Sequence, residues 1–210
     1  MKENDELNHW VKRGRQRQAV IRALEHPMCS SELWERAKRA APQIQLRDLW
    51  LHVRQFESRG LVVRLSPKLT TGKVYALTDL GREVLKQAFG VVVPPAPARV
   101  HWQSYSLIVR AKVRRLVLQE IGTDHVLANQ LKTASRIRKN LLEIHPLGLN
   151  AVLRALRELL AFGLITFEAG PYRGEKIYCV TTRGKRILSF LVQASLLRLA
   201  SSRQQGPKPN

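Results

Sequence analysis

Acidic residues are scarce in this chain: 16 Asp and Glu stand against 36 Lys and Arg, a formal charge of +20 over 210 residues. Such a surplus opposes compaction and draws polyanions, either nucleic acid or an anionic membrane face. Long apolar runs are missing too. None approaches the roughly 18 residues of a membrane span, and the opening MKENDELNH reads as a polar arm, not a leader. Cysteine is limited to Cys29 and Cys179, too few for a disulfide framework and not in Cys-x-x-Cys spacing. Two reduced thiols in a cytoplasmic, nucleoid-associated protein are therefore expected. The six histidines are scattered, with no pair at the spacing a zinc site prefers. No Gly-x-Gly-x-x-Gly, Walker loop or nucleophile elbow is present. Thr70-Thr71-Gly72-Lys73 looks like the end of a phosphate loop, but Pro67 stands where its upstream glycine would be. The expectation is a protein without cofactor, metal, membrane contact or catalysis.

What is present suits two domains. Hydrophobic residues make up 44% and charged residues 25%, near globular averages, and the length accommodates two units of about 100 residues. The charge is shared: residues 10–90 carry 16 basic and 7 acidic groups, and residues 91–210 carry 19 and 6. Both halves are suited to a polyanion.

The two halves also repeat. Residues 44–85 align with 147–188 at a constant offset of 103, without a gap. Nine of 42 positions are identical: Leu46/Leu149, Arg54/Arg157, Gly60/Gly163, Leu61/Leu164, Lys73/Lys176, Tyr75/Tyr178, Thr78/Thr181, Gly81/Gly184 and Leu85/Leu188. Eight more exchange one apolar side chain for another. Apolar positions and glycines set helix faces and turns, so their coincidence gives the repeat its weight.

Each copy predicts the same elements. Ile44, Leu49, Val53 and Phe56 recur at helical spacing, as do Leu147, Val152, Leu156 and Leu159. Each helix stops at a glycine, Gly60 or Gly163. A strand (61–65; 164–167), a Pro- and Gly-containing tip and a returning strand (73–77; 176–180) form a hairpin. Thr78 or Thr181 then opens a last helix. Upstream, helices are expected over 15–25 and 31–40, the latter capped by Ser30, and over 104–121 and about 126–137. The second copy departs by a basic passage, Arg136-Ile137-Arg138-Lys139-Asn140, between its second and third helices.

The stretches LHVRQFESRGLVVR…VYALTDLGREVL and VLRALRELLAFGLI…IYCVTTRGKRIL resemble winged helix-turn-helix regulators of bacteria and archaea, such as the arsenic-resistance and multiple-antibiotic-resistance regulator families. The resemblance implies a mainly α chain with small β-hairpin wings (α+β) and two tandem winged-helix domains. The expected division is a polar arm over 1–9, a first domain over 10–90, a Pro-rich linker over 91–101, a second domain with an extended C-terminal helix over 102–200, and a disordered tail over 201–210. The linker, with Pro94, Pro95 and Pro97, reads as a semi-rigid spacer or as a surface connection packed onto one domain.

The resemblance further implies double-stranded DNA as partner and the third helix of each copy as reader. The phase of the repeat leaves Gln45, Arg47, Asp48, Leu51 and Arg54 on the free face of the first, and Gly148, Asn150, Ala151, Arg154 and Arg157 on that of the second. Arg47 and Asn150 share one early position and suit guanine and adenine edges respectively. Lys68, Lys73, Tyr172, Arg173 and Lys176 belong to the wings, and Arg136, Arg138 and Lys139 to a basic cluster, all placed to meet phosphate or sugar. Trp10, Trp34, Trp50 and Trp102 are assigned to packing rather than to base stacking. The apolar pattern running from Thr182 through Phe190, Ala194, Leu197 and Leu199 exceeds what one small domain buries, which suggests a homodimer or packing onto the first module. Transcriptional regulation is the leading role. A plasmid or viral replication initiator, a protein-binding scaffold and a duplex-RNA binder stay open beside it.

Overall fold

The computed structural model describes residues 2–123, 132–143 and 145–204. It is mainly helical, with two small antiparallel sheets, and divides into two compact units, Met1–Ala98 and Arg99–Asn210.

The first unit runs α1 (Lys2–Lys12), α2 (Arg15–Ala23), β1 (Met28–Cys29), α3 (Ser30–Ala40), α4 (Leu46–Ser58), β2 (Val62–Arg64), β3 (Val74–Leu77) and α5 (Asp79–Phe89). Helix α4 shows how local sequence sets the element. The Asp48 carboxylate accepts a hydrogen bond from the Gln45 backbone N–H at 3.1 Å, which satisfies one donor just ahead of the first turn. Ile44, before that turn, and Leu49, within it, are both buried and fix the entry of the chain. Leu49, Val53 and Phe56 then face the core. The helix ends at Gly60, whose φ of +66° only glycine adopts cheaply. There Leu61 N–H bonds to the Phe56 carbonyl at 2.9 Å and Gly60 N–H to Glu57 at 3.0 Å, the paired closure of a Schellman motif.

Strand β3 is central, in the order β1-β3-β2, with Met28 opposite Tyr75 and Arg64 also opposite Tyr75. All four β3 residues are buried. The Thr78 hydroxyl accepts from Gly81 N–H at 3.0 Å to cap α5 and donates to the Gly60 carbonyl at 2.5 Å. One side chain thus ties the end of α4 to the start of α5.

The second unit runs α6 (Trp102–Val109), α7 (Lys112–Gly122), α8 (Ala134–Leu142), α9 (Leu149–Ala161), β4 (Ile165–Ala169), β5 (Lys176–Val180) and α10 (Thr182–Gln204). Helices α4 and α9 share both end points at the offset of 103. So do the strand pairings, Val62 with Leu77 and Ile165 with Val180. Leu164 N–H bonds to Leu159 at 3.0 Å, and Thr181 donates to the Gly163 carbonyl at 2.8 Å. The same bonds close both copies.

Several expectations need correction. Of the polar arm expected over 1–9, residues 2–9 form most of α1, which packs on α5 with Val11 fully buried and Asn8 bonded to Gln87 at 2.7 Å. The expected single helix over 104–121 breaks after Val109, so that Tyr105 and Ile108 on α6 and Val117, Leu118 and Ile121 on α7 can all be buried. Arg114 reaches back to the Leu107 carbonyl at 2.8 Å across the break. Arg17 makes the same reach to the Trp10 carbonyl. The repeat therefore continues upstream at an offset of 97, and the difference in length falls between α7 and α8. The basic passage Arg136–Asn140 is not a turn but part of α8, with Ile137 and Leu141 buried. Half of the helix expected over 126–137 lies outside the described residues, and in the other half the helix starts only at Ala134, as α8. Cys29, rather than Ser30, is the N-cap of α3.

The linker begins inside the first unit: Val93 is buried with its core and Val91 packs against it. This favours the packed connection over a free spacer for its first residues. Residues 201–204 of the expected disordered tail continue α10, and the rest lie outside the described residues.

Helix α10 does not carry an uncovered stripe through Ala194. Ile187, Phe190, Leu191 and Ala194 are buried within their own unit. Phe190 meets Trp102 and Tyr105, each edge-on at 5.2 Å between ring centroids, which is the preferred geometry of aromatic pairs. Short α6 thus covers the inward face of α10 around Phe190, while Val192 and Leu196 stay exposed. Leu197 and Leu199 lie in a stretch whose side chains are outside the described ones.

Candidate nucleic-acid interface

The free face of α4 is a stripe at helical spacing. Arg47, Leu51 and Arg54 are exposed on it, Leu51 at 55%, with Leu46 beside them at 50%. On α9 the equivalent positions Asn150, Arg154 and Arg157 are exposed in the same phase. Ala151 is half-buried and sits off the stripe, and Gly148 is the N-cap of α9. Gln45 precedes α4 as its N-cap. Asp48 is drawn inward: its carboxylate holds the Gln45 N–H and lies 3.7 Å from the Arg47 guanidinium. It is a capping group first, so its expected place among the base-reading residues is corrected.

The other acids of these two helices are occupied. Glu57 pairs with Arg64 at 3.6 Å, and Glu158 with Arg114 at 2.7 Å. Among the described residues no carboxylate pairs with Arg54, Arg154 or Arg157. Those three arginines keep their positive charge for an incoming anion, whereas Arg47 shares its charge with Asp48.

The hairpins differ. In the first unit, the buried Ser66 hydroxyl accepts from Val74 N–H at 2.9 Å and the Ser66 carbonyl from Leu69 N–H at 3.1 Å, which pins the tip. Lys68 stands exposed there. Lys73 is half-buried, and its carbonyl accepts from Ser30 N–H at 3.2 Å. It belongs to the base of the hairpin, not to its tip. In the second unit Tyr172, Arg173 and Lys176 are all exposed, Tyr172 at 76%, and the Lys176 ammonium lies 4.2 Å from the centre of the Phe167 ring. On α8, Lys139 is exposed while Arg136 and Arg138 are half-buried beside the core positions.

A pairing in each unit joins helix face to hairpin. Burial raises the Tyr75 phenol above its usual range, Glu57 adds to the rise, and the Arg64 and Arg54 guanidiniums oppose it. Burial likewise raises Tyr178, and Arg157 opposes it. Arg54/Arg157 and Tyr75/Tyr178 are identities of the repeat, so in both copies the last cation of the stripe lies near the phenol of the returning strand.

Other basic residues serve the fold. The Arg17 and Arg59 guanidiniums lie 3.9 and 4.0 Å from the centre of the Trp10 ring, which also meets Phe56 edge-on at 5.7 Å. Burial, then the nearby Arg59, lowers the Arg17 pKa. Arg17 and Arg114 are thereby committed to the fold rather than to an outside anion. Trp50 packs edge-on against Tyr75 at 6.2 Å. Burial pushes the Cys29 thiol up, with Glu32 adding to the rise, and Cys179 is exposed; both are unpaired thiols. Among the described residues no group of three His, Cys, Asp or Glu could hold a metal ion, and no helix is long and apolar enough to cross a membrane.

Two features escaped the sequence reading. Leu46 is exposed although the repeat conserves it, and Phe167 is 43% exposed on a strand expected to be packed. The signal for Phe167 was its exchange for Arg64 at the matching repeat position. Compared with known protein families and with curated proteins, the chain matches none.

Proposed function

We propose that the chain is a tandem winged helix-turn-helix protein that binds double-stranded DNA without catalysis, most plainly as a transcriptional regulator. In this reading α3–α4 and α8–α9 are the two helix-turn-helix pairs, α4 and α9 lie in the major groove, and the two hairpins are the wings. The observation that carries it is the recurrence, in one phase and in both units, of an outward basic stripe on which Arg54, Arg154 and Arg157 have no carboxylate partner among the described residues. Arg47 reads guanine and Asn150 adenine, while Arg54, Arg154 and Arg157 supply further base or phosphate contacts. Lys68, Arg173, Lys176 and Lys139 hold the backbone without reading sequence. Two modules in one chain raise the effective concentration of the second once the first is bound, so this reading needs no dimer.

Selection of bound fragments from random and genomic duplex DNA, with duplex RNA as competitor, tests it. An enriched motif, and a slope of log K against log salt of about −5 for roughly six neutralised phosphates, are expected. Failure to bind duplex DNA at low salt would overturn the reading in favour of a protein-binding scaffold. Preference for duplex RNA would move it to another partner.

A further inference from the structure

Resting on that reading, we infer that the hairpin of the second unit is a stacking site for an unpaired nucleotide beside the duplex, with Phe167 and Tyr172 as its platform. The two hairpins occupy the same place in the repeat but are built differently. In the first unit, β1 flanks β3, every β3 residue is buried, and Arg64 is tied to Glu57. In the second, only Ile165 of the five β4 residues is buried, so the ribbon projects beyond its core.

Strand alternation places Ile165, Phe167 and Ala169 on one face, opposite Val180, Tyr178 and Lys176. The core-facing side of the sheet therefore continues outward as an exposed aromatic surface. Phe167 meets Tyr178 edge-on at 6.3 Å. Phe167, Tyr172 and Lys176 line one open concavity at the hairpin tip.

Charge chooses the occupant. Arg173 and Lys176 line the concavity with Phe167 and Tyr172, and the Lys176 ammonium lies 4.2 Å from the centre of the Phe167 ring. Of the acids on the hairpin, Glu168 falls on the opposite face by alternation, while Glu175, whose side chain lies over Gly170, also lines the concavity, so that two cations there face one carboxylate. Aromatic rings edged by cations suit a group with a flat apolar face and an anionic tether, which describes a nucleotide. Inside a duplex the faces of bases are already stacked. Rings this exposed gain most from a base that is not.

The test compares affinity for a blunt duplex with affinity for the same duplex carrying a short oligothymidylate tail, by fluorescence anisotropy at one salt concentration. The wild-type chain is expected to favour the tailed DNA by about tenfold. Tyr172→Ala combined with Phe167→Ala should remove that preference, weakening the tailed DNA by about tenfold more than the blunt duplex, while Tyr172→Phe, which keeps the ring, should retain it. Thermal melts of each variant report folding, and Tyr172→Ala alone, at an exposed tip, should still lower the preference. Equal wild-type affinity for both DNAs overturns the inference while leaving the functional reading intact. So does an equal loss on both DNAs in the variants, or loss of the preference in Tyr172→Phe. No binding to either DNA refutes the functional reading and this inference with it.

Discussion

Gly81, in the first turn of α5, lies so close to the Leu61 carbonyl that a Cβ built on it would fall well inside van der Waals contact. Gly184 stands in the same relation to the Leu164 carbonyl in the second unit. This close approach lets Thr78 and Thr181 span the end of one helix and the start of the next. An alanine in an ordinary exposed helix interior is about 1 kcal/mol better than glycine. Here the clash is with backbone and cannot relax by a side-chain rotation. Gly81→Ala and Gly184→Ala are therefore each expected to destabilise their own unit by about 1–3 kcal/mol, measured by urea denaturation. A gain in stability for either would show that the helix and the strand entry are not pressed together.

How much of this arrangement was legible beforehand follows from how local each determinant is. Gly60 and Gly163 declared their helix ends because an αL cap is a property of one residue and its neighbours. The third helices, hairpins and Thr caps were readable for the same reason, and the ungapped offset of 103 carried them. Upstream, α2 and α3 were readable from their own periodicity, but the kinship of α1 and α2 with α6 and α7 was not, because its offset is 97 and no single alignment spans both. The break between α6 and α7 has no proline to announce it; burying two apolar faces at once requires it, and that is a tertiary demand. The N-terminal helix was hidden by its polar surface, since among its described side chains only Val11 is fully buried and Leu7 and Trp10 merely pack against the core. For the candidate interface, helical phase identified the stripe. It could not show that Asp48 turns back to cap α4, or that Phe167 lies past the last buried position of its strand.

The stripe makes a prediction that separates reading from holding. Arg47→Ala and Asn150→Ala should each weaken the selected site relative to random DNA by about 1–3 kcal/mol. Lys68→Ala, on the first hairpin tip, should weaken both DNAs alike and reduce the salt slope by about 1. Titrations on both DNAs at several salt concentrations decide it. Equal losses for all three variants on both DNAs would leave Arg47 and Asn150 as backbone contacts only.

Phe190 tests what the long C-terminal helix is for. Its ring fills the space between Trp102 and Tyr105 and is 5% exposed. Removing a buried phenyl ring costs the transfer energy of its atoms and leaves a cavity, so Phe190→Ala should destabilise the second unit by about 3–5 kcal/mol. The effect should not depend on protein concentration, because the partners of the ring come from the same unit. A loss that shrinks as concentration rises would instead place Phe190 at a contact between two chains.

His101 gives the second unit a dependence on pH whose sign can be worked out. It is the N-cap of α6: its Nδ1 accepts from Ser104 N–H at 3.3 Å and lies 2.7 Å from the Ser104 hydroxyl. An imidazole accepts at Nδ1 only when that nitrogen is unprotonated. Burial, with Arg183 nearby, lowers its pKa below the ordinary histidine value. The unfolded chain therefore takes up the proton first as pH falls. The stability contributed by neutral His101 is complete above about pH 6.5 and is lost as acidification proceeds toward the depressed folded-state value. Thermal melts at neutral pH and near pH 5.5 should show the second unit weakening in acid. His101→Asn keeps a good cap that does not titrate, so the variant should lose less on acidification than the wild type. An identical decline in both proteins would mean that the acid sensitivity arises elsewhere and that the His101 cap adds nothing measurable to the stability of α6.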